Sequence, residues 1–491
     1  MKKTFLLPFL AGLFALNLSF AQNPSLGPCG TTDGKSDWLI AYQSHPQGFP
    51  RDADTLYVPI TIYIVGTDAG TGYFSLTSLY RAFCTLNKDY EYSAIQFYLE
   101  GDINYINNST YYDHNFQQGG QMMQNYRVDA TVNCYIVSNP ADNCGYSSYN
   151  NGIALAKSCM GQNDHTWAHE LGHYLSLPHT FYGWEGYDHD YSQPAPSQID
   201  NDWVERVDGN NCDFAADGFC DTPPDYLNYR WPCDGNDFST LKQIDPNGEE
   251  FYSDGSLFMS YSNDNCTSRF SEEQIQAMRA NLWTEKLEYL YNQDAPGPVD
   301  MTNFTALTPA QEEFLPTFNN VHFEWEPVPN ATIYSLEITT LQSFVVPIFR
   351  YYLSEPNFTS FDLDPTRKYY WRVSAFNNYE SCPLTSEIFS FETGDVLNST
   401  AETDLIKGIS LSPNPVAAGS EVLLNFQATE NLDLECTLLS PAGAVIWQKN
   451  IPAARGQQQI LFQTDGIPAG LYFLQLHTSN GIVSRKLVVG R

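Results

Sequence analysis

The chain has 491 residues and a formal charge of −33, and 42% of its residues are hydrophobic. A single hydrophobic core rarely grows so large, so the length predicts about three domains. The charge excludes binding to a nucleic-acid phosphate backbone and favours solubility, cations and basic peptides as partners, although much of the acidity is solvated surface. Lys2 and Lys3 precede an apolar run from Phe5 to Leu16, and Ser19-Phe20-Ala21 offers small residues at the cleavage positions, so residues 1–21 read as a signal peptide. No later stretch is long and apolar enough to cross a membrane as a helix. Eleven cysteines fit an oxidising destination, and their odd number leaves at least one unpaired.

In chain order, Leu56 to Val65 is apolar and β-branched, the signature of a buried strand. Leu76, Leu79, Tyr80, Phe83 and Leu86 recur at helical spacing, a stripe that packs against a sheet. Ile95 to Leu99 and Thr131 to Val137 predict further strands, and a helix is expected to begin near Asp164, a good N-cap residue. Ser271-Glu272-Glu273-Gln274 is a capping box opening a helix that carries Ile275, Met278, Leu282 and Leu290. Pro296-Gly297-Pro298 marks a domain boundary. Beyond it Val321 to Trp325, Thr332 to Ile338, Lys368 to Ser374 and Ile388 to Glu392 alternate as β-sandwich strands do, with Trp325, Tyr334 and Trp371 as core.

The chemistry concentrates in His169-Glu170-Leu171-Gly172-His173-Tyr174-Leu175-Ser176-Leu177-Pro178-His179. Residues four apart sit nearly above one another on a helix, about 6 Å along the axis, so His169 and His173 can grip one ion from one face. Glu170 lies one position round, placed to hold a water as general base and not to ligate. His179 can join only if the helix stops after about Leu175 and doubles back, which Pro178 helps to enforce. Three imidazoles leave a fourth zinc position open, as hydrolysis requires.

Downstream, Ser256-Leu257-Phe258-Met259-Ser260-Tyr261-Ser262-Asn263-Asp264-Asn265-Cys266 resembles the methionine turn of metzincins. With Thr166-Trp167-Ala168, His179-Thr180-Phe181 and Cys220-Asp221-Thr222-Pro223, residues 29 to 290 resemble pappalysin metzincins, the cytophagalysin branch with ulilysin and mirolysin above all. The resemblance implies an α/β catalytic domain over residues 54–293 with a mixed sheet, a zinc helix and Met259 beneath the ligands His169, His173 and His179. It also implies Glu170 as general base, the Tyr261 hydroxyl as a second donor to the oxyanion, and Asp264 lining the pocket that receives an arginine or lysine after the cut. A packed aromatic for Tyr261 and plain surface acidity for Asp264 are the alternatives. The family has glycine where this chain has Ser176, at a position usually of positive φ. A downstream glutamate as third ligand, as in thermolysin-type enzymes, is the rival topology, against which the methionine turn argues.

The resemblance further implies crossed disulfides, Cys212 with Cys233 and Cys220 with Cys266, and gives Cys29, in a pro-segment over residues 22–53, the role of a latency switch capping the zinc. An ordinary disulfide partner is the other reading of Cys29. Calcium is suggested by Asp213, Asp217, Asp221 and Asp225 in a Gly-containing loop, against an ordinary polar loop. Residues 299–396 resemble a fibronectin type III domain. Leu411-Ser412-Pro413-Asn414-Pro415, Gly470-Leu471-Tyr472 and Lys486-Leu487-Val488-Val489 resemble the sorting domain of type IX secretion cargo, a seven-stranded sandwich over residues 405–491. The chain is thus expected to be multidomain, an α/β metzincin followed by two all-β sandwich modules, acting as a secreted zinc endopeptidase on proteins or peptides. A catalytically impaired, surface-attached binding protein acting through its sandwiches is the alternative.

Overall fold

The computed structural model describes residues 26–31, 34–50, 54–345, 347–380, 382–396, 405–441, 443–478 and 481–490. The expected signal peptide lies outside the described residues. The chain divides into two compact units between Asn292 and Gln293. No described helix is long and apolar enough to cross a membrane.

In the first unit, strand Leu56–Gly66 is buried almost throughout because it lies inside a mainly parallel sheet, whose strands read as continuous apolar runs. The order is Ile95–Leu99, Leu56–Gly66, Val132–Val137, Gly152–Ala156, Gly145–Ser148, and only the last strand runs antiparallel to its neighbour. Helix Leu76–Asp89, capped by Ser75, buries Leu79, Tyr80, Phe83 and Leu86 as their spacing predicts. Phe83 meets Trp167 of helix Thr166–Tyr174 at 5.6 Å between ring centroids. That second helix starts at Thr166 with His165 as an N-cap whose side chain makes no capping bond; Asp164 instead accepts from Gly161 N, closing the preceding turn. The Ser271 capping box forms, but helix Glu272–Thr284 stops short of Leu290, which sits on the 3-10 turn Leu287–Leu290. Between them Lys286 turns inward, donates to Asn150 Oδ1 at 2.7 Å and lies 4.2 Å from the Tyr174 ring centroid, a cation–π contact a continuing helix would forfeit.

Residues 179 to 271 have little regular structure, and two disulfides brace them, Cys212–Cys220 and Cys233–Cys266. The crossed pairs Cys212 with Cys233 and Cys220 with Cys266 are therefore corrected. Local folding explains why. Ala215 N bonds Asn211 O at 2.9 Å and Gly218 N bonds Ala215 O at 2.9 Å, so the intervening chain coils and the Cα atoms of Cys212 and Cys220 come within 4.9 Å. Trp231 N bonds Tyr261 O at 3.1 Å and Asn263 N bonds Trp231 O at 2.8 Å, which lays Cys233 beside Cys266. Cys144 pairs with Cys159, while Cys29, Cys134 and Cys436 are free thiols.

The second unit holds two sandwiches. In the first, Ala306–Thr308, Val321–Trp325 and Asn357–Ser360 form one sheet. The other is built on Ile333–Thr339, Lys368–Phe376 and Phe389–Val396, and Trp325, Tyr334 and Trp371 are buried in the core between the sheets. In the second sandwich the two-residue strand Val416–Ala417 joins seven longer ones. Asn414 ties its two sequence motifs together, donating from Nδ2 to Lys486 O at 2.7 Å and accepting at Oδ1 from Val488 N at 2.9 Å. Strand Gly470–Thr478 pairs along its length with Gly481–Gly490.

Disulfide mapping of the oxidised protein is expected to return Cys212–Cys220 and Cys233–Cys266. Because loop-closure entropy grows with loop length, losing the pair separated by 33 residues should cost about 4 kcal/mol and losing the pair separated by 8 about 2.5 kcal/mol, read from denaturant unfolding of the two double-alanine variants.

Candidate metal centre

Helix Thr166–Tyr174 is buried on every residue, so its two histidines face protein and not solvent. Its end decides the third. Ser176 N bonds His173 O and Leu177 N bonds Gly172 O, both at 2.9 Å, while Ser176 adopts φ 77°. This is a Schellman ending with serine at the left-handed position, and it turns the chain so that His179 comes back beside the helix. Left-handed strain on a non-glycine residue costs about 1 kcal/mol or more. Ser176 offsets it through its hydroxyl, which accepts from buried Asn281 Nδ2 at 3.2 Å and bonds Ser36 Oγ at 3.3 Å.

His173 Nε2 lies 3.1 Å from His169 Nε2 and 3.1 Å from His179 Nε2. Each ring's other nitrogen faces an acceptor: His169 Nδ1 donates to Phe258 O at 2.6 Å, His173 Nδ1 to Leu177 O at 2.7 Å and His179 Nδ1 to Glu185 Oε1 at 3.1 Å. With the proton committed to Nδ1, every Nε2 of a neutral ring presents a lone pair. Burial pushes His169 down to about 4, and burial with the neighbouring imidazoles holds His173 well below the ordinary histidine value; His179 is lowered for the same reasons. Three converging lone pairs repel unless a cation sits between them, and tetrahedral zinc would set its nitrogen ligands about 3.3 Å apart. The donor set therefore fits a zinc ion.

Cys29 joins this cluster: its sulfur and the three histidine nitrogens all lie within 4.8 Å of one another. Burial and the Glu170 charge hold its thiol above the usual range, a cost that a bound cation would reverse. Glu170 is fully buried and pushed up to about 8 by desolvation; its Oε2 accepts from Thr31 Oγ1 at 3.0 Å, and its Oε1 has no hydrogen-bond partner. Tyr261 donates from its hydroxyl to Cys29 O at 3.3 Å, and its ring lies 4.8 Å from that of His179. Met259 is fully buried, and its sulfur lies 2.4 Å from where a Cβ on Gly172 would stand, so the motif's glycine makes room for the turn. Thr180 N bonds Met259 O at 3.1 Å, so the turn holds both arms of the histidine set.

The expected pocket acid, Asp264, stands beside His169, but its carboxylate accepts from His165 N at 3.1 Å and from Arg230 Nη2. The four aspartates suggested for calcium are not brought together as a cluster. Asp217 accepts from Thr222 Oγ1 at 2.9 Å, Asp221 from Glu273 N at 2.8 Å, and Asp225 from Thr180 Oγ1 and Ser260 Oγ, both at 2.8 Å. Among the described residues the cysteine–histidine cluster is the one group arranged to hold a metal ion, and Asp213 is not part of it. Sequence reasoning missed Thr31, Glu185, Arg230 and Gly145, where a Cβ would stand 2.8 Å from Glu170 Cγ. No local rule of helix, turn or ligand spacing selects any of them, so the sequence did not point to them.

Residues 410–490 match the family described as secretion system C-terminal sorting domain. The chain accordingly carries a type IX sorting domain, which directs it to secretion and attachment at the cell surface through the secretion machinery. No curated protein matches the chain. Among solved structures, the fibronectin(III)-like modules of Clostridium thermocellum CbhA align at 9% identity and TM-score 0.16, covering 38% of this chain and 94% of that one. The chicken CNTN1 FN1–FN3 domains align at 12% identity and TM-score 0.15, covering 40% of this chain and 65% of that one. An α-L-rhamnosidase from Dictyoglumus thermophilum aligns at 12% identity and TM-score 0.16, covering 38% and 28%. Likeness this low carries no argument about fold or activity.

The balance at Ser176 predicts an order of stability. Ser176→Gly relieves the left-handed strain but loses the hydroxyl's bonds, and should unfold close to wild type. Ser176→Ala keeps the strain, loses the bonds and should be less stable by about 1 kcal/mol in denaturant unfolding.

Proposed function

We propose that residues 54–293 are a zinc endopeptidase of metzincin type, secreted in a latent form that the pro-segment maintains. The observation that carries this reading is the convergence of three neutral imidazole nitrogens next to a buried glutamate that is not itself a ligand. His169, His173 and His179 would hold the ion. Zinc, when bound, supplies a Lewis acid that polarises a scissile carbonyl and acidifies water.

The chain's own groups do the rest. Glu170, in its ionised form, takes the proton of the attacking water and hands it to the leaving amine. In the latent chain the Thr31 hydroxyl and the Cys29 thiol engage this carboxylate, so its release depends on removal of the pro-segment. The Tyr261 hydroxyl, once released from Cys29 O, donates to the oxyanion that develops on the substrate carbonyl. Edge strand Gly145–Ser148 offers backbone groups to an extended peptide, which is how such edges bind segments of chain.

In the intact chain the pro-segment takes these positions. Gly30 N bonds Gly145 O at 2.8 Å, Thr31 Oγ1 accepts from Ser147 N at 2.8 Å while donating to Glu170, and the Cys29 sulfur lies within 4.8 Å of the histidine nitrogens, where it would take a fourth ligand position. Helix Asp37–Ser44 anchors it further, with Gln43 Nε2 on Asp217 O at 2.8 Å and Trp38 Nε1 on Thr284 Oγ1 at 2.9 Å. Cleavage before about Asp54 would free the cleft.

Glu170→Gln should lower peptide hydrolysis by about 10²–10⁴-fold while the purified protein keeps one zinc per chain by elemental analysis; undiminished turnover would remove Glu170 as the base. Stripping the metal with a chelator should lower the unfolding temperature of the first unit and abolish hydrolysis, and zinc should restore both.

A further inference from the structure

We propose that Arg230 tunes the side-chain pocket beside the metal centre so that it accepts an uncharged substrate residue and turns lysine and arginine away. The inference rests on the peptidase reading above, and it departs from the basic preference that Asp264 suggests in the sequence.

The pocket lies between His169 and the turn after Met259, with Asp264 at its side. A lone carboxylate there would recruit an ammonium or guanidinium group from the substrate. Asp264 is not alone. Arg230 Nη2 donates to its Oδ2, and His165 N donates to its Oδ1 at 3.1 Å, so both oxygens are engaged. The Arg230 side chain is 40% exposed, and its place beside Asp264 is set by a fixed backbone. The next residue, Trp231, is bonded on both sides to the methionine-turn segment, N to Tyr261 O at 3.1 Å and O to Asn263 N at 2.8 Å. The Cys233–Cys266 disulfide locks the same two segments together. The His165 ring, also lining the pocket, points its Nδ1 at Asp89 Oδ2, 2.9 Å away, so the second carboxylate near the pocket is engaged as well.

A basic side chain entering this pocket therefore meets a guanidinium whose counter-charge is already used. To reach Asp264 it must displace Arg230 from its pair and bring a second cation beside the first, which is repulsion built against the wrong substrate. The remaining walls suit an uncharged guest: Phe258, Thr166 and Thr267 line the pocket, and in the latent chain the residue that lies against it is Pro28.

The test uses the full chain after limited proteolysis of the pro-segment, with peptides identical except at the residue after the cut: Ala, Val, Leu, Gln, Asp, Lys or Arg. The best uncharged peptide should exceed the Lys and Arg peptides in kcat/KM by about tenfold or more. Arg230→Ala should raise the Lys and Arg peptides by about tenfold relative to the uncharged ones, and Arg230→Lys should keep the wild-type order. Should Arg230→Ala fail to fold, as judged by thermal unfolding, Arg230→Gln takes its place. Best cleavage of basic peptides by the wild type, an unchanged order in Arg230→Ala, or a preference for Asp would each overturn the proposal. If nothing is cleaved, the peptidase reading fails separately, and binding of the same peptides to Glu170→Gln by fluorescence anisotropy decides the pocket. There, uncharged above basic supports the proposal, and a flat or reversed order overturns it.

Discussion

Three imidazole lone pairs held about 3 Å apart cannot hold one another, and much of the first unit works to keep them there. Each ring is fixed from behind by an acceptor on a different segment, namely the methionine turn for His169, the helix exit for His173 and Glu185 for His179. Such outer contacts set tautomer and ring direction and so fix which nitrogen each ring turns toward the others. The cost of this arrangement is spread through the fold. It shows in the left-handed serine, the histidines kept neutral by burial, and a buried glutamate raised to about 8.

The methionine turn is the hub through which these constraints meet. Phe258 O holds His169, Met259 O holds the chain after His179, and Met259 Sδ fills the space that Gly172 leaves. Buried Asp225 adds a second tie, accepting from Thr180 on one side and Ser260 on the other. That geometry explains why an aspartate suggested for calcium serves as a cross-link. It also explains how a region with so little regular structure holds His179 in place: disulfides and buried carboxylates replace the hydrogen-bond ladders that strands would have supplied.

Much of the site was legible in the residue pattern because its spacing is short. Four residues on a helix is a fixed displacement, and Pro178 after a helix exit is a local rule, so His169, His173 and His179 needed no tertiary information. Ser176 shows the same thing from the other direction, since a position that wants glycine keeps its positive φ with serine in place. Thr31, Glu185 and Arg230 were not legible, because each meets its partner across a loop whose path no local rule sets. The disulfides failed for that reason too: with four cysteines three pairings are open, and only the coil between Cys212 and Cys220 and the pairing of Trp231 with Tyr261 choose among them.

The sequence by itself determined the helical histidine pair, the exit that returns His179 and the buried central strand, which follow from contacts within a few residues or from periodicity along one element, and it showed the export tail through its resemblance to a known sorting domain. Tertiary structure decided what those groups face. It set Cys29 against the histidines, Thr31 on Glu170 and Arg230 on Asp264, because the direction of a long irregular chain is settled by where its buried polar groups find partners, a balance that no single segment contains.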